Sequence, residues 1–473
     1  MQDLIREIAA LRGQSEAGRL QEELEGLREQ LAKMQRKLFA ESSERRPQPT
    51  EPKVEPVRRG HGPKEQPLLP VVEQIHELDA GHRRCPACEG DLTPMGEQYE
   101  DSEEVTVVER RFVLVTHRRT KYRCRCNGAV VTAPGPDKLI PGGRYSVEFA
   151  VEVAAGKYLD HLPLERQTRQ MAREGLVVDS QTLWNQINAL ARHLQPTYEA
   201  LRGKILASDV LHADETWWRL MDGKSTKRWW SWSISNEEAA HYRIAPQRST
   251  EAAREVLGEY RGTVMADGYG VYESLSRAGP RFTLANCWSH ARRNFVEIEA
   301  NYPRECDEVL SLIRELYGVE RLAPRLAGLQ GAEREQALRE RAQLRDEYSR
   351  PIMERIWEWA SLQTGTPESG LRKAVMYLLE RRAGLTRFLD DPRVPLDNNA
   401  AERVLRGMVL GRKNHYGSRS LRGTQVAALF YSLMETAKLC GVEPKAYLRA
   451  AAVTAIREPG RAFLPEEFKK LSE

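Results

Sequence analysis

Apolar positions near the start of the chain follow a 4-3 spacing: Leu4, Ile8 and Leu11, then, after a break around Gly13 and Gly18, Leu20, Leu24, Leu27, Leu31, Met34 and Leu38. Glu, Arg, Lys and Gln fill the positions between, giving the narrow a/d seam of a coiled coil. The competing reading is one amphipathic helix packed on its own body; the strict 3.5 spacing favours self-association. From Ser42 to about Pro70 the pattern dissolves into Pro and charge with little to bury, which reads as a semi-extended linker. β-type segments are expected at 105–114 and 121–122. Beyond Pro141 the period is helical to about residue 203. Within it, LERQTRQMAREGLVVDSQTLWNQINAL reads as a helix, a turn at Gly175 and a second helix capped by Asp179 or Ser180.

Residues 206–294 change to strand character in SDVLHADETWWRL, KRWWSWSIS and HYRIA, and again in RGTVMADGYG and TLANCWSHARRNF, the last running on into a helix. One helix interrupts them at about 250–257. From 296 to 390 the pattern is helical again, with long Glu/Arg/Leu-rich stretches. The last eighty or so residues hold a helix opening at DNNAAERVL, another at about 424–439, and a tail. A strand-rich α/β unit is therefore interrupted by a helical insertion.

Composition adds limits. At 473 residues the chain is too long for one core, and roughly three domains are expected. A formal net charge of +4 is small, so any case for a nucleic-acid partner has to rest on local clusters. No apolar run approaches the ~18 residues of a transmembrane span. The N-terminus is charged and lacks the apolar stretch of a signal peptide, so a cytoplasmic location is expected. Seven cysteines in a chain of this length do not make a disulfide scaffold.

Candidate chemistry begins with carboxylates. Alternation on the first strand places His212, Asp214 and Thr216 on one face and Leu211 and Ala213 on the other. Asp267 ends a later strand before Gly268, pointing into the crevice where such sheets bind ligands. Hard oxygen donors of this kind suit magnesium, with water and phosphate completing the shell. Strand-end aspartates are also turn formers. Glu402 admits two readings: the N3 partner of an Asn399 cap in a capping box, or a third metal ligand from a helix. After it no acid occurs before Glu435, while Arg403, Arg406, Arg412, Lys413, Arg419 and Arg422 do. A solvated basic face would interleave acids; this run suits phosphate contacts. A helix-turn-helix reader is expected to expose Gln181, Thr182, Asn185 and Gln186. Trp217, Trp218, Trp229, Trp230 and Trp232 read as sheet core in preference to base-stacking platforms.

HADETWW, ADGY, NCWSHARRNF, DNNAAERVLRGMVLGRKN and YSLMETAKLCGVEPKAYL, in that order, resemble successive signatures of bacterial transposases of the insertion sequence 66 family. The resemblance extends from the leucine-patterned start through the CPAC segment and KYLDHLPLERQ to the tail. It implies a DDE-type catalytic core of ribonuclease H-like fold, with Asp214, Asp267 and Glu402 as a metal-binding triad for two magnesium ions, replaceable by manganese. It also implies an all-helical insertion between the second Asp and the Glu. His290, Arg292 and Arg293 would then meet DNA phosphates or support the triad, with a structural role for His290 as the alternative. Cys85, Cys88, Cys124 and Cys126 form two close pairs that fit a structural zinc site, against buried free thiols. The second pair is Cys-x-Cys, which leaves His82 and His117 open as ligands in place of Cys124.

The expected architecture is a multidomain α/β protein. Residues 1–41 are a coiled coil, 42–80 a linker, 81–137 a zinc module and 138–203 a helix-turn-helix-like DNA-binding domain. The catalytic core occupies 204–295 and 393–440 around a helical insertion at 296–392, with a tail at 441–473. The expected function is transposition. Element ends and target DNA are the partners, a homodimer or higher oligomer is the working form, and companion proteins of the same element are left open. No membrane is involved, and the location is the nucleoid-associated cytoplasm. The rivals are a hydrolytic nuclease on the same fold and a catalytically silent, transposase-derived regulator.

Overall fold

The computed structural model describes residues 87–88, 112–123, 130–222, 225–279, 282–363 and 368–472. The chain divides into two compact units, Lys37–Arg110 and the remainder, and the remainder is the one described below. The leucine seam, the linker and all the zinc-module cysteines except Cys88 lie outside the described residues. So does most of the expected 105–114 strand, whose last residues, 112–114, take no regular form.

A short antiparallel pair, β1 (Lys121–Arg123) and β2 (Val130–Thr132), precedes four helices: α1 (Val147–Tyr158), α2 (Leu164–Arg173), α3 (Ser180–His193) and α4 (Gln195–Leu206). Ser146 starts α1 by accepting from the Phe149 N–H. The helix is apolar on nearly every side, with Ala150, Val153, Ala154 and Ala155 fully buried, as an interior helix must be. Gly175, at φ +86°, ends the turn after α2. Asp179 caps α3 at 2.6 Å from the Thr182 N–H. Leu183, Ile187 and Leu190 form its buried stripe.

The sheet comprises β3 (Val210–Asp222), β4 (Ser225–Ser235), β5 (Ala240–Ala245), β6 (Thr263–Ala266) and β7 (Thr283–Asn286), in the order β5-β4-β3-β6-β7. The first three strands run antiparallel in succession, while β6 and β7 are parallel to β3. Helices α5 (Thr250–Leu257) and α6 (Gly270–Arg277) connect the second half.

Six helices follow: α7 (Trp288–Ile298), α8 (Pro303–Leu322), α9 (Gly331–Leu344), α10 (Arg350–Leu362), α11 (Gly370–Glu380) and α12 (Arg382–Asp390). They gather a second core around Trp288, Phe295, Ile313, Ile356 and Leu378, which also takes in Met265 of β6 and Ala285 of β7. Arg345 is fully buried between them, satisfied by Glu320 and by the carbonyls of Phe388 and Val394.

The chain then returns to the sheet as α13 (Asn399–His415) and α14 (Leu421–Leu439), followed by α15 (Pro444–Arg457) and α16 (Pro465–Ser472). An exposed edge strand invites unwanted pairing, and α14 closes the β5 edge. Thr436 Oγ1 and Ser432 Oγ accept from the N–H groups of Ala240 and Tyr242 at 3.0 and 2.9 Å.

Candidate active site and nucleic-acid interface

Parallel pairing sets Leu211 of β3 opposite Val264 of β6, and His212 opposite Met265. Since β6 ends at Ala266 and β3 runs on, the register brings Asp214 level with Asp267 where β6 leaves the sheet. There the neighbours of β3 are antiparallel on one side and parallel on the other. In open α/β sheets ligands bind beyond the carboxyl ends of the parallel strands, and Asp267 lies just past the end of β6. Asp267 Oδ1 accepts from the Tyr269 N–H at 2.9 Å, so this aspartate also forms the turn. Gly268 has no room for a side chain, since a Cβ would lie 2.5 Å from the Tyr377 ring. Arg381 clamps the Gly268 carbonyl at 3.1 Å.

The capping-box reading of Asn399 and Glu402 does not hold. Asn398 is the cap residue of α13, and no side chain caps the helix. Asn399 instead turns its amide to Asp397 Oδ2 at 2.7 Å, and Asp397 also accepts from Tyr317. Asn398 is fully buried and joins three parts of the fold. Its Oδ1 meets His212 Nδ1 at 2.8 Å, its Nδ2 donates to the Ala213 carbonyl at 2.9 Å, and its backbone N–H donates to Cys287 Sγ at 3.1 Å. Glu402, one turn later, thus starts from a point pinned to β3 beside Asp214. Its Oε1 lies 3.8 Å from both His290 Nε2 and Arg293 Nη2 of α7.

Burial, together with the carboxylates of Glu215, Asp267 and Glu402, pushes the Asp214 carboxyl up to about 8. The three expected ligands therefore share one electrostatic neighbourhood. Glu215 points to the opposite face, where Arg248 Nε and the Tyr272 hydroxyl hold its two oxygens at 2.9 and 3.0 Å. Among the described residues no three His, Cys, Asp or Glu side chains close into a ready-made metal cage. The donor set still fits magnesium, which takes one or two carboxylates and fills its shell with water and phosphate. The crowding of acids around Asp214 is what such an ion would relieve.

Gln181 and Asn185 lie exposed at the start of α3, bonded to each other at 3.0 Å, with Thr182 partly covered. Gln186 departs from expectation: it is buried, because it falls beside Ile187 on the packed stripe. Arg403, Arg406, Lys413 and Arg419 are exposed, and Arg292 is half-buried. Arg412 also departs from the expected basic track. It is buried, donates to Thr216 Oγ1 and the Trp217 carbonyl, and stacks 3.7 Å from the Trp217 ring centroid. Trp218 and Trp232 are core, while Trp217, Trp229 and Trp230 are partly covered. Cys88, the described member of the four expected zinc ligands, is exposed with a free thiol. Cys287 and Cys306 are buried. Four thiolates in two close pairs are a donor set suited to tetrahedral zinc.

The sequence profile described as Transposase IS66 family matches residues 142–426. The chain belongs to the IS66 transposase family. A second profile, the zinc-finger binding domain of transposase IS66, matches residues 82–127 and spans Cys85, Cys88, Cys124 and Cys126. An uncharacterized protein y4jD of Sinorhizobium fredii is 30% identical over 400 residues, 80% of this chain and 76% of the relative. A second from that organism, y4hP, is 28% identical over 419 residues, 82% and 74% of the two chains. No described helix of this IS66 family member is long and apolar enough to cross a membrane. Sequence reasoning missed Asn398, Asp397, Glu215 and Arg248 as site-building residues. For Glu215 the signal was present: alternation puts it on the buried face with Leu211 and Ala213, where a carboxylate requires a partner.

Proposed function

We propose that this chain is a DDE-type DNA transposase that cleaves at element ends and joins the freed ends to target DNA. What supports the reading is that Asp214 of β3 feels the charges of Asp267, just past β6, and of Glu402, on α13, in a member of a transposase family. A mixed sheet, with helices inserted between the second aspartate and the glutamate, supports a ribonuclease H-like core with an insertion domain. Two divalent cations held by the three carboxylates would supply Lewis-acid stabilisation of the attacking and leaving oxygens in an in-line displacement. The chain's own part is positional. Asn398 fixes the start of α13, His290 and Arg293 hold Glu402 near the crevice, and Arg403, Arg406 and Lys413 bind the phosphate backbone. Water attacks first, and the liberated 3′ hydroxyl attacks second. Each attack forms one P–O bond and breaks another, with no covalent link to the protein.

In the same proposal, α2 and α3 act as a helix-turn-helix reader through Gln181, Thr182 and Asn185, and the four cysteines hold a structural zinc. The N-terminal leucine seam pairs protomers so that two ends meet. The protein works on the bacterial nucleoid. The test is incubation of the purified chain with magnesium or manganese and DNA carrying the sequences that flank its gene. Cleaved and joined products are expected. Cleavage without joining would identify a hydrolytic nuclease, and binding without either reaction a silent regulator.

A further inference from the structure

A cleft of about 330 Å³ lies between the end of α1, the start of α3, the tip of β3 and the loop from His415 to Ser420. Along β3 its edge at Met221 is seven residues from Asp214, about 23 Å at roughly 3.3 Å per residue. It is therefore separate from the carboxylate crevice. Its loop wall is rigidly built. Ser418 donates to the Arg219 carbonyl at 2.9 Å and accepts from the Met221 N–H at 2.8 Å. Gly417 sits at φ +107°, and a Cβ there would come within 2.1 Å of the Arg219 carbonyl oxygen.

Two cations face this cleft, Lys157 from α1 and Arg419 from the loop. Neither has an acidic partner at ion-pair distance among the described residues. Burial lowers the Lys157 ammonium to about 8, and repulsion from Arg419 adds to the effect. Holding two like charges beside a cavity is unfavourable unless an anion comes between them. The other wall offers the Trp184 ring, and Gln181, whose amide nitrogen is engaged by Asn185. Among the described residues the one carboxylate on the rim, Glu165, is exposed and accepts from Ser180 at 2.7 Å. An anion attached to a flat ring with polar edges matches these groups, and the volume is far too small for a duplex.

We propose that this cleft takes one unpaired nucleotide of the DNA, its phosphate between Lys157 and Arg419 and its base against Trp184. The assignment rests on the DNA reading above and adds to it a specific capture of a single strand, away from the chemistry. Base–aromatic stacking with phosphate neutralisation is the general mode by which proteins hold unpaired strands.

The test is fluorescence anisotropy on the full chain with a labelled oligothymidylate of about ten nucleotides and with a duplex of equal length. Lys157→Met is expected to weaken single-strand binding about tenfold and to lower the salt slope by about 0.7. Duplex binding should change less than about twofold, since the cleft excludes it. Trp184→Leu should weaken the single strand by about five- to tenfold, with Trp184→Phe recovering most of it. A strand carrying 5-iododeoxyuridine should photo-crosslink to the peptide containing Trp184. Unchanged single-strand affinity and salt slope in Lys157→Met, with a normal melt, would overturn the proposal while leaving the transposase reading intact. Binding of neither DNA form by the unaltered chain would overturn both.

Discussion

On one face of β3 the Glu215 carboxylate accepts from Arg248 and Tyr272 and is almost fully buried. On the other face, one residue earlier, Asp214 accepts from the Glu215 N–H and otherwise meets the field of further carboxylates. Both acids belong to the same HADETWW stretch. The difference lies in what covers each face. The segment before α5 brings a cation, Arg248, and helix α6 a hydroxyl, Tyr272, to Glu215. The α13 side brings a third acid to Asp214. A buried acid with partners is a fold component; a buried acid facing other acids has its charge opposed by its surroundings, which marks it as a functional candidate.

The sharpest way to break this comparison is Asp214→Asn. Cleavage and joining should fall by at least about a thousandfold, since such sites supply several kcal/mol of transition-state stabilisation. The melting temperature should hold or rise, because an unfavourably placed acid is removed. Arg248→Met should do the reverse in kind. It strands the Glu215 carboxylate without its cation and should cost about 3 kcal/mol of stability, read from urea unfolding. A loss of melting temperature in Asp214→Asn as large as that in Arg248→Met would erase the distinction.

Asn398→Ala should come next in size. It removes two buried side-chain hydrogen bonds, worth about 2 kcal/mol together, and frees the start of α13. Catalysis should fall more than stability alone explains. Comparison of turnover at temperatures well below the melt measures that gap.

A pH series gives the smallest effect. Burial holds His241 and His415 down to about 3. The unfolded chain therefore binds more protons than the folded one between about 3 and 6.5, and stability is lost as pH falls through that window. His241→Phe keeps the ring against Tyr198, 4.3 Å away, and removes one titration. The difference between its urea midpoints at about pH 7.5 and about pH 5 should be smaller than for the unaltered chain.

Much of the scaffold was legible in the residues. Helical patterning with its caps located α3 and α5, and strand patterning located β3, β4 and β5, because each element carries its own apolar face. The helical run expected at 296–390 was legible for the same reason, and it corresponds to the end of α7 through α12. Period alone does not say what covers the opposite face. Asn399 and Glu402 had the spacing of a capping box, yet Asn398 takes the cap position because its side chain is bonded to His212 and Ala213, far away in sequence. Arg412 looked like one more cation on an acid-free helix. Trp217, whose ring and carbonyl it meets, lies 195 residues earlier. Contacts that distant leave no trace in local spacing, and they decide which charges remain exposed.

The measurement that bears most directly on the account is strand transfer of a pre-cleaved element end by Glu402→Gln in magnesium. The substitution keeps the side chain's size and one acceptor oxygen, replaces the other oxygen with an amide donor and removes the charge. The account predicts normal folding, retained DNA binding and no joined product. Joining at the rate of the unaltered chain would contradict it and return Glu402 to a structural role beside His290 and Arg293.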